Sequence, residues 1–300
     1  MSYPSYPYIG SMTRCEEVPV AFPPQHQDCI PGLEWPMVPP PIFDNPHYRP
    51  AGKLAGRVAL ITGGDSGIGR AVAVAFAKEG AAVAFAYYDE HRDAAETRGY
   101  IERLGGRCLA LPADLRQESA ARHVVAETAR AFGPVDILVN NIAVAFPSQQ
   151  IEAITPEQLA ATFQTNVFSY FYMTKAALPH MRPGSAIINT VSDAAYTGLE
   201  TRLDYAASKG ATVAFTRSLA KALVERGIRV NGLSPGPVWT PLIPPSIPAG
   251  NVPAFGTETP LGRAAQPFEL APAYVYLASD DARYVTGQVI HVNGGAPVVS

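Results

Sequence analysis

Val-Ala-Leu-Ile-Thr-Gly-Gly-Asp-Ser-Gly-Ile-Gly-Arg, residues 58 to 70, governs how the rest of the chain is read. Four apolar residues in a row read as a strand buried on both faces, and Ala71 to Lys78 begin a helix. The glycines at 63, 67 and 69 fill the turn between them and allow close backbone approach, since glycine has no Cβ. A helix start presents unpaired N–H groups and the positive end of the helix dipole, so a phosphate is expected there.

Working outward, further apolar runs fall near 82 to 87, 107 to 111, 135 to 140, 185 to 191, 228 to 233 and 288 to 292, with helical patterns between them. Strand and helix in alternation predict an α/β fold, a parallel sheet covered by helices on both faces. Ligands of such sheets bind beyond the carboxyl ends of the strands. Thr62, Asn140, Ser192 and Ser234 all fall at those ends.

Asp-Tyr-Ala-Ala-Ser-Lys-Gly places Tyr205 and Lys209 four residues apart, on one face of a helix, and Ser192 precedes the tyrosine by thirteen positions. A lysine ammonium beside a phenol favours the ionised form. Bringing a tyrosine from ~10 to about 7 takes ~4 kcal/mol of differential stabilisation, which suits Tyr205 to proton transfer. Tyr-x-x-x-Lys alone is common on helix surfaces, so the pair gains its meaning from the glycine-rich turn.

Together these motifs resemble the short-chain dehydrogenase/reductase family, along residues 54 to 296. The turn has that family's Gly-x-x-x-Gly-x-Gly spacing, not the Gly-x-Gly-x-x-Gly of most dinucleotide folds. The resemblance implies a Rossmann-type, doubly wound, seven-stranded parallel sheet. It also implies a catalytic tetrad of Asn166, Ser192, Tyr205 and Lys209. The coenzyme is then met by Gly63, Asp65, Ser66, Gly67, Ile68 and Gly69 in the turn, and by Asp114-Leu115 at the adenine. Asn140 after the fourth strand, Tyr205 and Lys209 at the ribose, and Pro235, Gly236, Val238 and Thr240 at the nicotinamide complete its contacts. Ala143, Val144, Ala194 and Trp239 are expected to wall the substrate pocket. The resemblance narrows to bacterial relatives with a proline-rich N-terminal extension, similar to aldehyde reductases and glucose-dehydrogenase-like proteins.

The implied function is NAD(P)-dependent interconversion of a carbonyl and an alcohol, with Tyr205 as general acid and base; a non-catalytic dinucleotide sensor or scaffold is the alternative. One departure from the family concerns the usual Asn-Asn-Ala-Gly, which is here Asn140-Asn141-Ile142-Ala143 and narrows the cofactor's surroundings. An apolar neighbourhood of Val144, Phe146, Leu199, Leu242 and Ile243 favours a small-molecule substrate with an apolar portion. The second strand ends at Tyr87-Tyr88-Asp89, and neither Ser66 nor Tyr88 is basic. Asp65 and Asp89 would repel a 2′-phosphate, so NAD(H) is favoured and NADP(H) remains possible.

Composition narrows the field. With 300 residues, 47% of them apolar, the chain can bury a large core, and a net charge of −3 gives no basic footprint for nucleic acid. No apolar run reaches the ~20 residues that span a bilayer, and no signal segment opens the chain, so a cytoplasmic location and no membrane partner are expected. Cys15, Cys29 and Cys108 have no metal spacing, and no metal site is expected among the six histidines. Residues 1 to 50 hold twelve of the 29 prolines and read as an extended arm, on protein surface from about residue 30 or else disordered; residues 51 to 300 read as one catalytic domain. Residues 237 to 262 carry seven prolines and match the family's substrate lid. Phe163, Phe168, Phe171, Ala211, Phe215 and Leu219 add a second apolar face to two helices, which in this family builds a homotetramer.

Overall fold

Residues 9–13, 17–148 and 150–298 are described by the computed structural model. A short antiparallel pair, β1 (Ile9–Thr13) and β2 (Glu17–Ala21), precedes the main sheet. That sheet contains β3 (Val58–Thr62), β4 (Ala82–Tyr87), β5 (Cys108–Pro112), β6 (Ile137–Asn140), β7 (Ala186–Thr190), β8 (Arg229–Pro235) and β9 (Val289–Val292). All seven are parallel, in the order β5-β4-β3-β6-β7-β8-β9. The order reverses between β3 and β6, which opens a crevice at their carboxyl ends. Each of these strands coincides, within two residues or so, with an apolar run read from the sequence. The hairpin β1–β2 was not anticipated, because Pro19 and the prolines that follow hide any strand pattern.

Alternation along the strands builds two apolar layers. Ile61, Val139 and Ile188 point to the face covered by α1 (Gly67–Lys78), α2 (His91–Arg103) and, further on, α9 (Pro267–Ala278). Leu60, Leu138 and Ile187 point to the other face, under α3 (Glu118–Phe132), α5 (Ser169–Ala177) and α7 (Leu203–Leu223). A further helix, α4 (Pro156–Phe163), runs into α5 through one π turn at Gln164–Phe168. Two short helices, α6 (Ala194–Thr197) and α8 (Ile243–Ser246), lie beside the carboxyl ends of the strands.

The N-terminal arm docks on its own chain. Phe22 stacks flat on Trp239 with 4.0 Å between ring centroids, and Met37, Ile243, Val252 and Ala264 complete this third apolar cluster. Trp239 Nε1 donates to Pro39 O at 2.9 Å, and Ile42 N donates to Gln266 Oε1 at 2.9 Å. Further along, Tyr100 donates to Asp44 Oδ2 at 2.6 Å, and the Arg92 guanidinium lies 4.4 Å over the Trp35 ring. A proline-rich segment can lie down in this way because its backbone needs no ladder partners; its carbonyls and ring faces make the contacts. Surface contact therefore begins by residue 22, earlier than the reading from residue 30.

Candidate active site

The crevice beyond β3 and β6 deepens into a cavity of about 630 Å³. At its closed end the chain folds back hard on itself at the glycine-rich turn. A Cβ on Gly69 would stand 1.7 Å from Gly63 O, so α1 can start here only with glycine at 69. Gly69 therefore lets α1 pack on the turn and does not itself line the cavity, whereas Gly63, Asp65, Ser66, Gly67 and Ile68 do. Gly63 has φ of +68° and faces Ile142, whose Cγ2 would lie 2.9 Å from a Cβ placed there. The bulkier residue at 142 thus packs directly against the turn.

The first turn of α1 is already partly engaged. Gly67 N donates to Glu34 Oε2 at 2.6 Å, so one of the amides expected for a phosphate is held by a carboxylate from the arm. Glu34 also pairs with Arg70 at 2.7 Å, and Arg70 reaches Asp93 at 3.7 Å and donates from Nε to Asp65 O at 2.9 Å. Arg70 is thus buried inside a network. Burial pushes the Glu34 carboxyl up to about 7, against the pull of Arg70 and the Gly67 N–H. Ile30, Pro31 and Gly32 of the arm line the cavity as well, a contribution that no local sequence motif announces.

At the end expected to take the adenosine, the cavity is walled by Tyr87 and Tyr88, by Asp114 and Leu115, and by two residues the sequence reading missed, Glu90 and Arg116. Asp89, expected here, is not among the lining residues; Glu90 takes its place because its Oε2 turns back to accept from the Tyr88 and Asp89 amides at 3.2 and 3.1 Å. Arg116 binds Asp114 through two bonds of 2.8 Å, and its guanidinium lies 5.3 Å over the Tyr88 ring. That pairing holds the Asp114 carboxyl below the usual carboxylate range. Burial pushes Asp65 up to about 6, with the Asp93 charge adding to it, and Glu90 up to about 7, with the Asp65 charge adding to it.

Asn140 is fully buried and ties the sheet to its neighbours, with Nδ2 donating to Thr174 Oγ1 at 3.3 Å and Asn189 Oδ1 at 2.9 Å. It does not line the cavity; the next residue does, as adjacent side chains at a strand end diverge. Asn141 locks the turn by donating from Nδ2 to Thr62 O at 3.1 Å.

Three of the four expected catalytic side chains meet in the cavity: Ser192, Tyr205 and Lys209. Ser192 stands beside the Tyr205 hydroxyl, and both line the cavity. Burial pushes the phenol up, and the Ser192 hydroxyl and the Arg202 charge oppose it. Lys209 was expected to supply that cation. Its Nζ instead donates to Thr190 O at 2.9 Å, lies 5.8 Å from the Tyr205 ring centroid, and is pushed down to about 7 by burial. Asn166 stands behind the wall: its Oδ1 accepts from Val144 N at 2.8 Å, and its Nδ2 donates to Val144 O at 2.9 Å and Ser208 Oγ at 3.0 Å. The π turn at 164–168 swings this side chain sideways off the helix so that it can brace the strand-end loop.

Ala143, Val144 and Ala194 line the cavity, as do Pro235, Gly236, Val238 and Thr240. Trp239 does not. It is 0% exposed, and both its ring and its N–H are spent on the arm, because the backbone at 238–240 turns the odd residue outward between two that face the cavity. Among the described residues there is no cluster of metal-ligating side chains.

Comparison with known proteins agrees with this geometry. A family profile described as "Enoyl-(Acyl carrier protein) reductase" matches residues 63–297. "Uncharacterized oxidoreductase YhxC" of Bacillus subtilis is 56% identical over 276 residues, 92% of this chain and 96% of that protein. "Glucose and ribitol dehydrogenase" of Daucus carota is 51% identical, with 92% of this chain and 97% of that protein covered. "NADPH-dependent aldehyde reductase 1, chloroplastic" of Arabidopsis thaliana is 50% identical over 91% of this chain and 98% of that one. The likeness thus extends to plants as well as bacteria. A solved short-chain dehydrogenase from Burkholderia cenocepacia in complex with NADP superposes with a TM-score of 0.76 at 32% identity, covering 81% of this chain and 99% of that one. A profile match along most of the chain, joined to relatives about half identical over nearly their whole length, means that the chain belongs to the short-chain dehydrogenase/reductase family and is an NAD(P)-dependent oxidoreductase.

Proposed function

We propose that the chain interconverts an aldehyde or ketone and its alcohol, with Tyr205 as the proton donor and acceptor. The observation that carries this reading is the meeting of Ser192, Tyr205 and Lys209 inside the same cavity that the glycine-rich turn closes. A nicotinamide coenzyme, when bound, supplies or accepts the hydride. In reduction Tyr205 gives its phenolic proton to the carbonyl oxygen; in oxidation its phenolate takes the hydroxyl proton. Ser192 donates to the same oxygen and fixes its position. Lys209 and Asn166 support that pair from behind, and Gly63, Ser66, Ile68 and Asp114 hold the adenosine half. Residues 51–300 form the catalytic domain in this reading, with 1–50 as an arm and 237–262 as the substrate lid. Phe146, Leu242, Ile243 and Phe255 line the substrate end and favour a compound with an apolar portion.

Within this reading the coenzyme preferred is NAD(H). Asp65, Glu90 and Asp114 line the adenosine end, and the one cation lining it among the described residues, Arg116, is already committed to Asp114. A 2′-phosphate brought close to Glu90 and Asp65 meets repulsion on the order of 1 kcal/mol or more. The relatives named for NADP(H) make this a sharp test. Burial holds Glu90 up to about 7 and Asp65 up to about 6, so both are charged at pH 8, and as pH falls Glu90 loses its charge first and Asp65 after it. The advantage of NADH over NADPH is therefore expected to be about fivefold or more at pH 8 and to shrink as pH falls. Glu90→Gln should flatten that slope. Coenzyme oxidation across a panel of aldehydes and ketones, with both coenzymes at both pH values, tests the activity and the preference together. No turnover of any carbonyl would defeat the first, and a tenfold NADPH advantage at pH 8 the second.

Assembly as a homotetramer is proposed from the second face of the long helices. Phe171 is 49% exposed and lies tilted against Phe215, with 4.2 Å between ring centroids, beside a groove that includes Leu178 and Leu219. β9, at the open edge of the sheet, offers a second contact. Light scattering at micromolar concentration should give four times the chain mass, and a monomer there would refute it. A cytoplasmic location is proposed on the free thiols of Cys29 and Cys108. No described helix is long and apolar enough to cross a membrane.

A further inference from the structure

The substrate half of the cavity holds a cation with too few partners. Arg202 immediately precedes α7, three residues before Tyr205, and lines the cavity with Ser192, Phe146, Leu199 and Ile243. Among the described residues its guanidinium makes one hydrogen bond, from Nη1 to Ser246 Oγ at 3.2 Å. Its Nε is buried and has no partner. No carboxylate of a described residue forms an ion pair with it, whereas the buried guanidinium of Arg70 meets Glu34 at 2.7 Å and Glu96 at 3.6 Å. A hydroxyl contact alone does not compensate a cation for leaving water. The burial shows in the group itself, whose pKa is pulled below its ordinary value.

The carboxylates that share the cavity do not supply the missing charge. Asp193 is held by Ser234 Oγ at 2.9 Å and by His291 Nδ1 at 3.2 Å. Glu258, on the lid, is exposed and forms no ion pair among the described residues. Asp65, Glu90 and Asp114 stand at the adenosine end. We propose that Arg202 binds an anionic group of the substrate, so that the preferred carbonyl compound is an oxo acid with its carboxylate a short chain away from the reacting carbon. The inference rests on the carbonyl-reductase reading above and adds the substrate class to it. A guanidinium presents a planar fork of donors that matches a carboxylate's two oxygens, and the Nε edge is the one left unpaired here. The apolar wall opposite suits the methylene chain that joins the two functional groups.

The experiment compares matched pairs, 4-oxobutanoate with butanal and 6-oxohexanoate with hexanal, in the full-length protein and in Arg202→Leu and Arg202→Lys. The better oxo acid is expected to exceed its aldehyde by about tenfold or more in kcat/KM, mostly through KM. In Arg202→Leu that ratio should fall to about one, and Arg202→Lys should keep part of it. Equal efficiencies in the unaltered protein, or a preference that survives in Arg202→Leu, would overturn the proposal. So would a neutral polyol, such as ribitol, that loses as much in Arg202→Leu as the oxo acid does, because hydrogen bonding without charge would then suffice. Calorimetric binding of butanoate and butanamide to the coenzyme-loaded protein separates the inference from the reading beneath it. Tighter butanoate binding that is lost in Arg202→Leu supports Arg202 as the anchor even if no aldehyde is turned over, and equal binding of the two rejects it. Retained coenzyme affinity in the variants shows that they are folded.

Discussion

Tyr205→Phe is expected to lower kcat by about 10² to 10⁴ while leaving coenzyme affinity within a few fold. The phenyl ring fills the same buried space, so neither the packing of α7 nor the wall of the cavity changes. What goes is the O–H, beside Ser192, that the reaction needs as a proton source. Single-turnover measurement with the best carbonyl of the panel, beside a coenzyme titration, reads the two effects separately. Activity within tenfold of the unaltered protein would remove Tyr205 from the chemistry.

The largest expected effect on stability is at Trp239. Its ring is fully buried against Phe22, and its indole N–H holds the Pro39 carbonyl. Replacing it with alanine opens a cavity in the seam between arm and body, at a cost of about 3 to 5 kcal/mol by analogy with other Trp→Ala changes in cores. Denaturant midpoints should show that loss. Trp239→Phe keeps the stack and gives up only the hydrogen bond, so its loss should be about 1 to 3 kcal/mol. If Trp239→Ala unfolds like the unaltered protein but changes substrate selectivity, the residue belongs to the substrate wall after all.

These two positions mark where the sequence was readable and where it was not. Tyr205, Ser192 and Lys209 were legible because helix spacing and strand-end placement are local, and local rules survive into the fold. Gly63 to Gly69 were legible for the same reason, although only the structure separates the glycine that faces the cavity from the one that lets the helix start. Trp239 was misplaced because a loop has no periodicity to say which way a residue points. Glu34 and the Ile30–Gly32 stretch were invisible as site residues, since their partners lie far away in sequence: Gly67 for Glu34, and the Pro241 carbonyl against which Gly32 lies. Arg202 had no helical spacing to announce it, since it stands just before α7 with a non-helical backbone. Cation placement relative to Tyr205 was the one electrostatic expectation that inverted, with Arg202 pulling the phenol down where Lys209 was expected to.

The arm's docking also orders events during synthesis. Pro39 and its Trp239 partner are 200 residues apart, and Ile42 and Gln266 are 224 apart. At roughly 5 to 20 residues per second, the arm leaves the ribosome about 10 to 40 seconds before its binding surface exists. Through that interval Phe22, Trp35 and Met37 have nothing to cover them. A segment this aromatic would be prone to pair with other nascent chains as strands, and prolines deny it the N–H groups that such pairing needs. The composition that makes the arm hard to read as secondary structure is thus what keeps it available until the last third of the chain arrives to receive it.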